Sequence, residues 1–214
     1  MQVTKLSVQV RNPNRANLYI DGKFYRGLDK IVAIRLGLKP GLTLTPFLIG
    51  QLEQQQTTST AWEFALRSLQ RSPKSITTMR HKLKDKLFPD DIVDNTIQRL
   101  VDGKILDDTL MADNLVSYYS ANGRRSRKQI WALLKTKLLP TTAIDMALEA
   151  VDSNQELSSA SKLAQQKNHQ WRELDLRTRQ QKIAGYLSQR GFQYTIVKQV
   201  ITREQLDSEE TTKM

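Results

Sequence analysis

An internal repeat constrains the fold of this chain more than any other feature of the sequence. Residues 80–97 (RHKLKDKLFPDDIVDNTI) align without a gap with residues 131–148 (WALLKTKLLPTTAIDMAL). Residues 183–201 (IAGYLSQRGFQYTIVKQVI) superpose in the same register, with Gly191 where the other copies have Leu87 and Leu138. The period of 51–53 residues is typical of helical repeats, whose units bury a continuous core by stacking.

The copies share apolar positions at helical spacing on both sides of a turn. These positions pair Met79 with Ile130, Leu83 with Leu134, Phe88 with Leu139, Val93 with Ile144, and Ile97 with Leu148. A further helical segment precedes each copy, at residues 61–70, 109–123 and 159–170. We therefore predict three tandem three-helix repeats, at residues 57–108, 109–153 and 154–206, followed by a polar tail at 207–214.

The first 56 residues have a different pattern. The runs LSVQV, ANLYI and KFYRGL are typical of short strands, and Asp21-Gly22 between the last two predicts a type I′ hairpin. The predicted fold class is thus mostly α, a tandem array of three three-helix repeats, preceded by a small N-terminal β-hairpin-containing α+β module at residues 1–56.

Two short helices are predicted inside and after this module. Asp29 would cap the first, Ile31, Ile34 and Leu38 would line its buried face, and Gly37 would end it. Thr45-Pro46 has the pattern of an N-cap followed by proline, which predicts the start of the second. The polar tract QLEQQQTTST at residues 51–60 reads as a linker.

The net charge of +11 favours a polyanionic partner: nucleic acid, an acidic protein face or an anionic membrane. Residues 122–140 are the most basic stretch, with no acid and six cations: Arg124, Arg125, Arg127, Lys128, Lys135 and Lys137. On a helix here, the stripe Ile130, Leu133, Leu134 and Leu138 would be buried. Arg124, Lys128, Trp131 and Lys135 would lie within about 60° of one another on a second face.

This second face is the predicted binding surface, with Trp131 either an exposed anchor or half buried against the next repeat. Arg80 and Lys84 repeat the pattern weakly, whereas Ala184 and Ser188 replace it in the third repeat. The third helix of the first two repeats is acidic, which predicts a polarised array with the basic middle helices on one side. The candidate partner- or DNA-binding residues are Arg124, Arg125, Arg127, Lys128, Trp131, Lys135, Arg80, Lys84, Tyr118 and Tyr119.

No arrangement of residues indicates catalysis. The chain has no cysteine, which excludes disulfides, thiolate zinc sites and cysteine nucleophiles. His81 and His169 are isolated, and Asp107-Asp108 either binds a divalent ion or, as we favour, caps the following helix. Without a membrane-length apolar run or a signal peptide, we expect a cytoplasmic, non-enzymatic protein with no metal and no cofactor.

Four blocks of the sequence resemble the RecX family of regulatory proteins. The first is Gly103, Ile105, Leu106, Asp107, Asp108, Met111 and Ala112; the others are NGRRSRKQIWALLKTKL, AWEFALRSLQRSPKSITTMRHKL and RQQKIAGYLSQRGFQYTIVKQVI. The resemblance covers residues 61–201, and residues 1–60 resemble an extension that some members carry. Lys104, Met111 and Leu138 depart from the family pattern, which usually has an aromatic residue, phenylalanine and glycine there.

The resemblance implies a protein that binds the helical filament of the RecA recombinase on DNA, seated in its groove. Such proteins restrain recombination, ATPase and coprotease activities, and so act in DNA repair and the SOS response. The family is not enzymatic and has no cofactor, and we expect a monomer. From the residues alone, three alternatives stay open: a direct nucleic-acid-binding protein, a helical scaffold for an unrelated acidic protein, and an enzyme.

Overall fold

The computed structural model describes residues 1–202, apart from the side chain of Ser153. Three antiparallel strands form a sheet in the order β1-β2-β3, with bounds β1 Val3–Gln9, β2 Asn12–Ile20 and β3 Lys23–Asp29. Nine helices follow, α1 Lys30–Arg35, α2 Pro46–Arg71, α3 Ile76–Asp85, α4 Asp90–Asp102, α5 Asp108–Ala121, α6 Arg127–Thr136, α7 Thr141–Glu149, α8 Ser153–Gln170 and α9 Leu176–Gln189. A tenth, α10, covers residues 194–202 as far as the chain is described.

The predicted hairpin joins β2 to β3. Asp21 and Gly22 both have positive φ, 47° and 81°, as a type I′ turn requires. Leu18 and Leu28 face Val32 of α1 and Leu52 of α2 in one buried cluster. The strand-rich module is therefore confirmed, and α2 completes its core.

Helix α1 begins and ends where predicted but buries a different face. Val32 and Ala33 are buried, whereas Ile31 and Ile34 are 53% and 68% exposed. In six residues the helix turns less than twice, so two adjacent residues suffice to meet the sheet. Asp29 occupies the N-cap position without capping, because its buried carboxylate accepts a hydrogen bond from Gln56 Nε2 at 3.0 Å.

The linker predicted at residues 51–60 is wrong, because these residues lie inside α2. Thr45 caps this helix as predicted, accepting from Leu48 N at 3.2 Å, but the helix runs on to Arg71 instead of being short. Leu52 is fully buried, and the Gln56 side chain accepts a hydrogen bond from Asp29 N at 2.8 Å. One apolar residue and one buried amide thus supply the contacts that a longer apolar stripe normally provides.

The three-helix repeats are confirmed. The later part of α2 with α3 and α4 forms the first, α5–α7 the second, and α8–α10 the third. Their middle helices bury equivalent residues: Met79 and Leu83, Ile130 and Leu134, Ile183 and Leu187. Pro89 and Pro140 occupy the N-cap positions of α4 and α7.

Each middle helix ends with a residue in the left-handed region. Leu87, Leu138 and Gly191 have φ of 61°, 57° and 79°, which confirms the register of the sequence alignment. Leu138 was predicted in the buried stripe of α6, but it is 44% exposed. The helix ends at Thr136, so helical spacing no longer places Leu138 above Leu134.

We expect Leu87→Gly to raise the free energy of unfolding by about 1 kcal/mol, since a left-handed non-glycine residue is strained by that order. Leu87 is 90% exposed, so little apolar contact is lost. Thermal unfolding would show a Tm higher by roughly 2–4 °C. The matched control is Leu110→Gly, at an exposed position inside α5, which should destabilise by about 1 kcal/mol. Equal losses in both variants would contradict this account.

The chain divides into two compact units. One contains Met1–Pro73 and Met79–Ile105, and the other contains Lys74–Thr78 and residues from Leu106 onward. The repeat boundaries given above stay predictions, and the predicted tail at 207–214 lies outside the described residues. No helix within residues 1–202 combines the length and apolarity needed to cross a membrane.

Candidate functional site

A buried serine sets the start of α6, the helix that carries the predicted binding residues. Ser126 is fully buried and caps the helix, accepting from Gln129 N at 3.2 Å. Its hydroxyl also donates to Arg190 O at 2.6 Å. Glu156 in α8 accepts a hydrogen bond from Arg127 N at 3.1 Å. Two hydrogen bonds thus join the second repeat to the third. In each, a polar side chain of one repeat bonds to a backbone group of the other.

The same joint occurs at the start of α3, within the second compact unit. The Ser75 hydroxyl donates to Lys137 O at 2.7 Å, and Asp108 accepts from Ile76 N at 2.9 Å. Lys137 and Arg190 are both the C-caps of middle helices. The sequence pattern does not reveal these joints, although Ser75 and Ser126 are 51 residues apart, in the register of the repeat.

The Asp107-Asp108 pair has two roles. Asp107 caps α5 as predicted, accepting from Leu110 N at 2.9 Å. Asp108 is not a cap but the acceptor of the joint. Burial raises the pKa of the Asp108 carboxyl above its ordinary value. The hydrogen bond from Ile76 N acts in the opposite direction and lowers the pKa, whereas the charge of Asp107 raises it further.

Arg127, one of the predicted binding residues, also has a structural role. Its guanidinium donates to Leu148 O and, at 2.9 Å, to Val151 O. These carbonyls lie at the C-terminal end of α7, where a helix leaves its acceptors unpaired and favours a cation. Both bonds hold the side chain against its own repeat, while Arg127 still lines the pocket beside Lys128 and Trp131, and its role in binding stays a prediction.

The predicted face of α6 divides into two parts. Ser126 caps the helix, so Arg124 precedes it and does not follow its helical spacing. Lys128 and Trp131 instead line a pocket of about 330 Å³ with Asp145 and Glu149 of α7. Acids of the third helix thus lie beside the basic helix, and the separation of charge that we predicted is absent from this pocket.

Trp131 and Lys135 are held by residues of α7. Trp131 Nε1 donates to Asp145 Oδ1 at 2.9 Å, and Lys135 Nζ donates to Thr141 Oγ1 at 3.0 Å. Lys135 Nζ also lies 5.7 Å from the centre of the Trp131 ring. Trp131 remains 36% exposed, so it can still meet a partner, with its ring already oriented.

The first repeat has the same two contacts with other residues. Arg80 pairs with Asp94, and Lys84 Nζ lies 2.8 Å from Asp90 Oδ1. These four positions correspond to Trp131, Asp145, Lys135 and Thr141, each 51 residues later. The Lys84 ammonium lowers the pKa of Asp90. Arg80 and Lys84 of this weaker copy are therefore paired with carboxylates, whereas Lys135 contacts the Thr141 hydroxyl and the Trp131 ring.

Three arginines, Arg124, Arg125 and Arg190, line one cleft, which we name the arginine cleft. Its volume is about 730 Å³, and its other described lining residues are Gln129, Ala132, Leu133 and Thr136, so no carboxylate is among them. Arg190 Nη1 donates to Arg124 O at 3.4 Å. None of the three arginines is ion-paired within the described part of the chain.

Arg190 was not among the predicted site residues. The alignment contained a signal for it, because Arg190 has the position of Lys137 in the preceding repeat. Its placement beside Arg124 depends on the joint through Ser126, which the sequence pattern does not reveal.

Tyr118 and Tyr119 differ in exposure. Tyr119 packs on the core of the second repeat, and Arg125 Cζ lies 4.8 Å from its ring centre. Tyr118 is 62% exposed, and its ring contacts Tyr119 edge to face at 5.2 Å. The binding roles of all the residues named from the sequence stay predictions, with Arg80 and Lys84 paired to carboxylates and Arg127 bonded to carbonyls, and Arg190 joins them.

Three family models match the chain. The RecX N-terminal domain matches residues 1–45, the first three-helix domain of RecX matches residues 61–100, and the third matches residues 154–201. Together they cover well over half of the 214 residues. They assign the N-terminal module as well as the repeats to one family.

Whole-chain relatives agree with these matches. A protein of Clostridioides difficile named regulatory protein RecX is 25% identical over 94% of both chains. Another of that name, from Leuconostoc mesenteroides, is 26% identical over 94% of this chain and 75% of its own. A crystal structure of regulatory protein RecX superposes with a TM-score of 0.77 at 23% identity, covering 93% of this chain and 98% of that one. The chain therefore belongs to the RecX family of regulatory proteins.

Proposed function

We propose that this chain binds the helical filament of the RecA recombinase on DNA, in the filament groove. Binding there restrains the recombination, ATPase and coprotease activities of the filament, and through them DNA repair and the SOS response. The protein acts as a cytoplasmic monomer without a cofactor and without enzymatic activity of its own.

The observation that carries the proposal is a set of uncompensated cations on a member of the RecX family. Arg124, Arg125 and Arg190 share a cleft without a described carboxylate, and Lys128 lies on the adjoining helix. Guanidinium groups form paired hydrogen bonds with carboxylates and phosphates. A filament of an acidic protein face and DNA offers both kinds of anion.

The experiment is an ATPase assay of RecA on single-stranded DNA. We expect the protein, at or below a one-to-one ratio to RecA, to inhibit hydrolysis, and to bind the nucleotide-bound filament far more tightly than the same DNA alone. An ATPase rate that stays unchanged at equimolar protein would refute the proposal. Substoichiometric inhibition would indicate an action at filament ends, and stoichiometric inhibition would indicate occupancy of the groove.

Direct nucleic-acid binding is the second candidate function, and the arginine cleft favours it. Three arginines without a described acid among them suit a phosphate backbone read without sequence preference. In that case the affinity for bare DNA falls steeply with salt, with a slope set by the number of phosphate contacts. Equal affinity for bare DNA and for the RecA filament would support this function over the first.

A further inference from the structure

The apolar face of the N-terminal sheet extends beyond the helix that covers it. Leu6 and Val8 of β1 lie opposite Leu18 and Ala16 of β2. Residues opposite each other in a sheet share a face, and here it is the face that packs on the core, since Leu18 and Ala16 are buried. Val8 is nevertheless 53% exposed, because the six residues of α1 end before covering this part of the sheet.

An apolar groove of about 340 Å³ lies between this part of the sheet and α1. Six apolar side chains line it: Leu6, Val8, Ala16, Ala33, Ile34 and Leu38. Ile34 is 68% exposed, so the groove presents apolar surface to a partner.

The charge around this groove is of one sign. Lys30 and Lys39 line it, and no carboxylate does among the described lining residues. Residues 1–45 contain eight Lys or Arg and two Asp, a net charge of +6 within a chain of +11. Both acids are engaged elsewhere: Asp29 is buried against Gln56, and Asp21 accepts from Gln2 N in the β2–β3 turn. A partner that fits the groove is therefore acidic as well as apolar.

Strand β1 also has a free edge beside the groove. It pairs with β2 on one side. On the other side, the backbone hydrogen bonds of the described residues cover only its start: Val3 N donates to Leu42 O at 2.9 Å and Gly41 N donates to Val3 O at 2.8 Å, beside the bridge from Gln2 to Thr43. Residues 5–9 can accept a further strand on that side, which is how many domains bind extended peptides. Such a strand would place alternate side chains over the apolar face.

We propose that this groove binds an extended acidic segment of a partner protein. Its apolar side chains enter between Val8 and Ile34, and its carboxylates face Lys30 and Lys39. The assignment uses only residues of the N-terminal module, and it is independent of the proposed action on RecA.

The test uses a fluorescein-labelled nonapeptide in which two leucines, separated by one acidic residue so that both face the groove, lie between acidic triplets; its binding to the full-length chain is followed by fluorescence anisotropy. At an ionic strength of about 0.15 M, replacing both leucines with serine should weaken binding about tenfold or more, since each leucine buries apolar area. Equal binding of the two peptides would overturn the proposal, because charge alone would then explain it. This comparison requires no variant of the protein.

Two pairs of matched variants locate the site. Ile34→Gln should weaken binding about fivefold, whereas Ile31→Gln should not, because Ile31 is exposed on the same helix but does not line the groove. Lys39→Glu should weaken peptide binding more than Lys23→Glu does. Lys23 is the control because it is an exposed lysine at the β2–β3 turn. Equal effects within either pair would overturn the assignment. So would a dimer of the wild-type chain that Ile34→Gln dissociates, since a second copy would then cover the groove.

Discussion

Replacing Ser126 with alanine is expected to lower the free energy of unfolding by about 2–4 kcal/mol. The hydroxyl caps α6 through Gln129 N and donates to Arg190 O. A lost cap costs about 1 kcal/mol, and loss of the part-buried hydrogen bond to Arg190 O costs about 1–3 kcal/mol more. Urea unfolding, with the slope compared between variant and wild type, measures the change.

Ser117→Ala is the matched control for this measurement. Ser117 is exposed inside α5, so its replacement should change the free energy of unfolding by less than about 0.5 kcal/mol. Equal stability of the two variants would show that the hydrogen bond from Ser126 to Arg190 contributes nothing to the joint.

The reversal of two charges, Arg124→Glu with Lys128→Glu, should weaken binding to the RecA filament roughly 100-fold. Both side chains are exposed and neither is ion-paired among the described residues. Each contact to an anion contributes about 1.5 kcal/mol or more, and two such losses multiply to that factor. Filament binding by anisotropy and ATPase inhibition measure the effect, and Tm should change little.

The control for charge alone is Lys82→Glu with Lys86→Glu, which changes the net charge equally at two exposed positions, one in α3 and one in the turn that follows it. If both pairs weaken binding to the same extent, the partner responds to overall charge and the predicted surface has no special role. A large fall in Tm for Arg124→Glu with Lys128→Glu would instead show that these residues support the fold, as Arg127 does.

Much of the helical fold could be predicted because its signal is periodic. Buried apolar residues recur every three or four positions, and Leu83, Leu134 and Leu187 repeat in register. The prediction of a linker at residues 51–60 was wrong because this segment has no such periodic signal. Residues 51–60 have a single apolar side chain, Leu52, and their helix depends on a buried contact between Gln56 and Asp29, which are 27 residues apart.

The surroundings of the predicted binding residues were harder to predict than the fold. Helical spacing correctly grouped Lys128, Trp131 and Lys135, but it extended to Arg124 across a cap that ends the periodicity. Arg127 has the composition of a binding residue, and only its carbonyl partners identify its structural role. The local sequence pattern predicts which face of a helix a residue occupies. Whether its charge is paired depends on contacts with groups of other helices, which the local pattern does not contain.

The joints also have a consequence for synthesis of the chain. The start of α3 needs Asp108 and the carbonyl of Lys137, and the start of α6 needs Glu156 and the carbonyl of Arg190. In both cases the partner lies later in the sequence. A nascent second repeat therefore cannot complete its hydrogen bonds until residue 190 has emerged from the ribosome. In a chain truncated after α7, the Ser126 hydroxyl and Arg127 N would lack the acceptors that they have in the full chain.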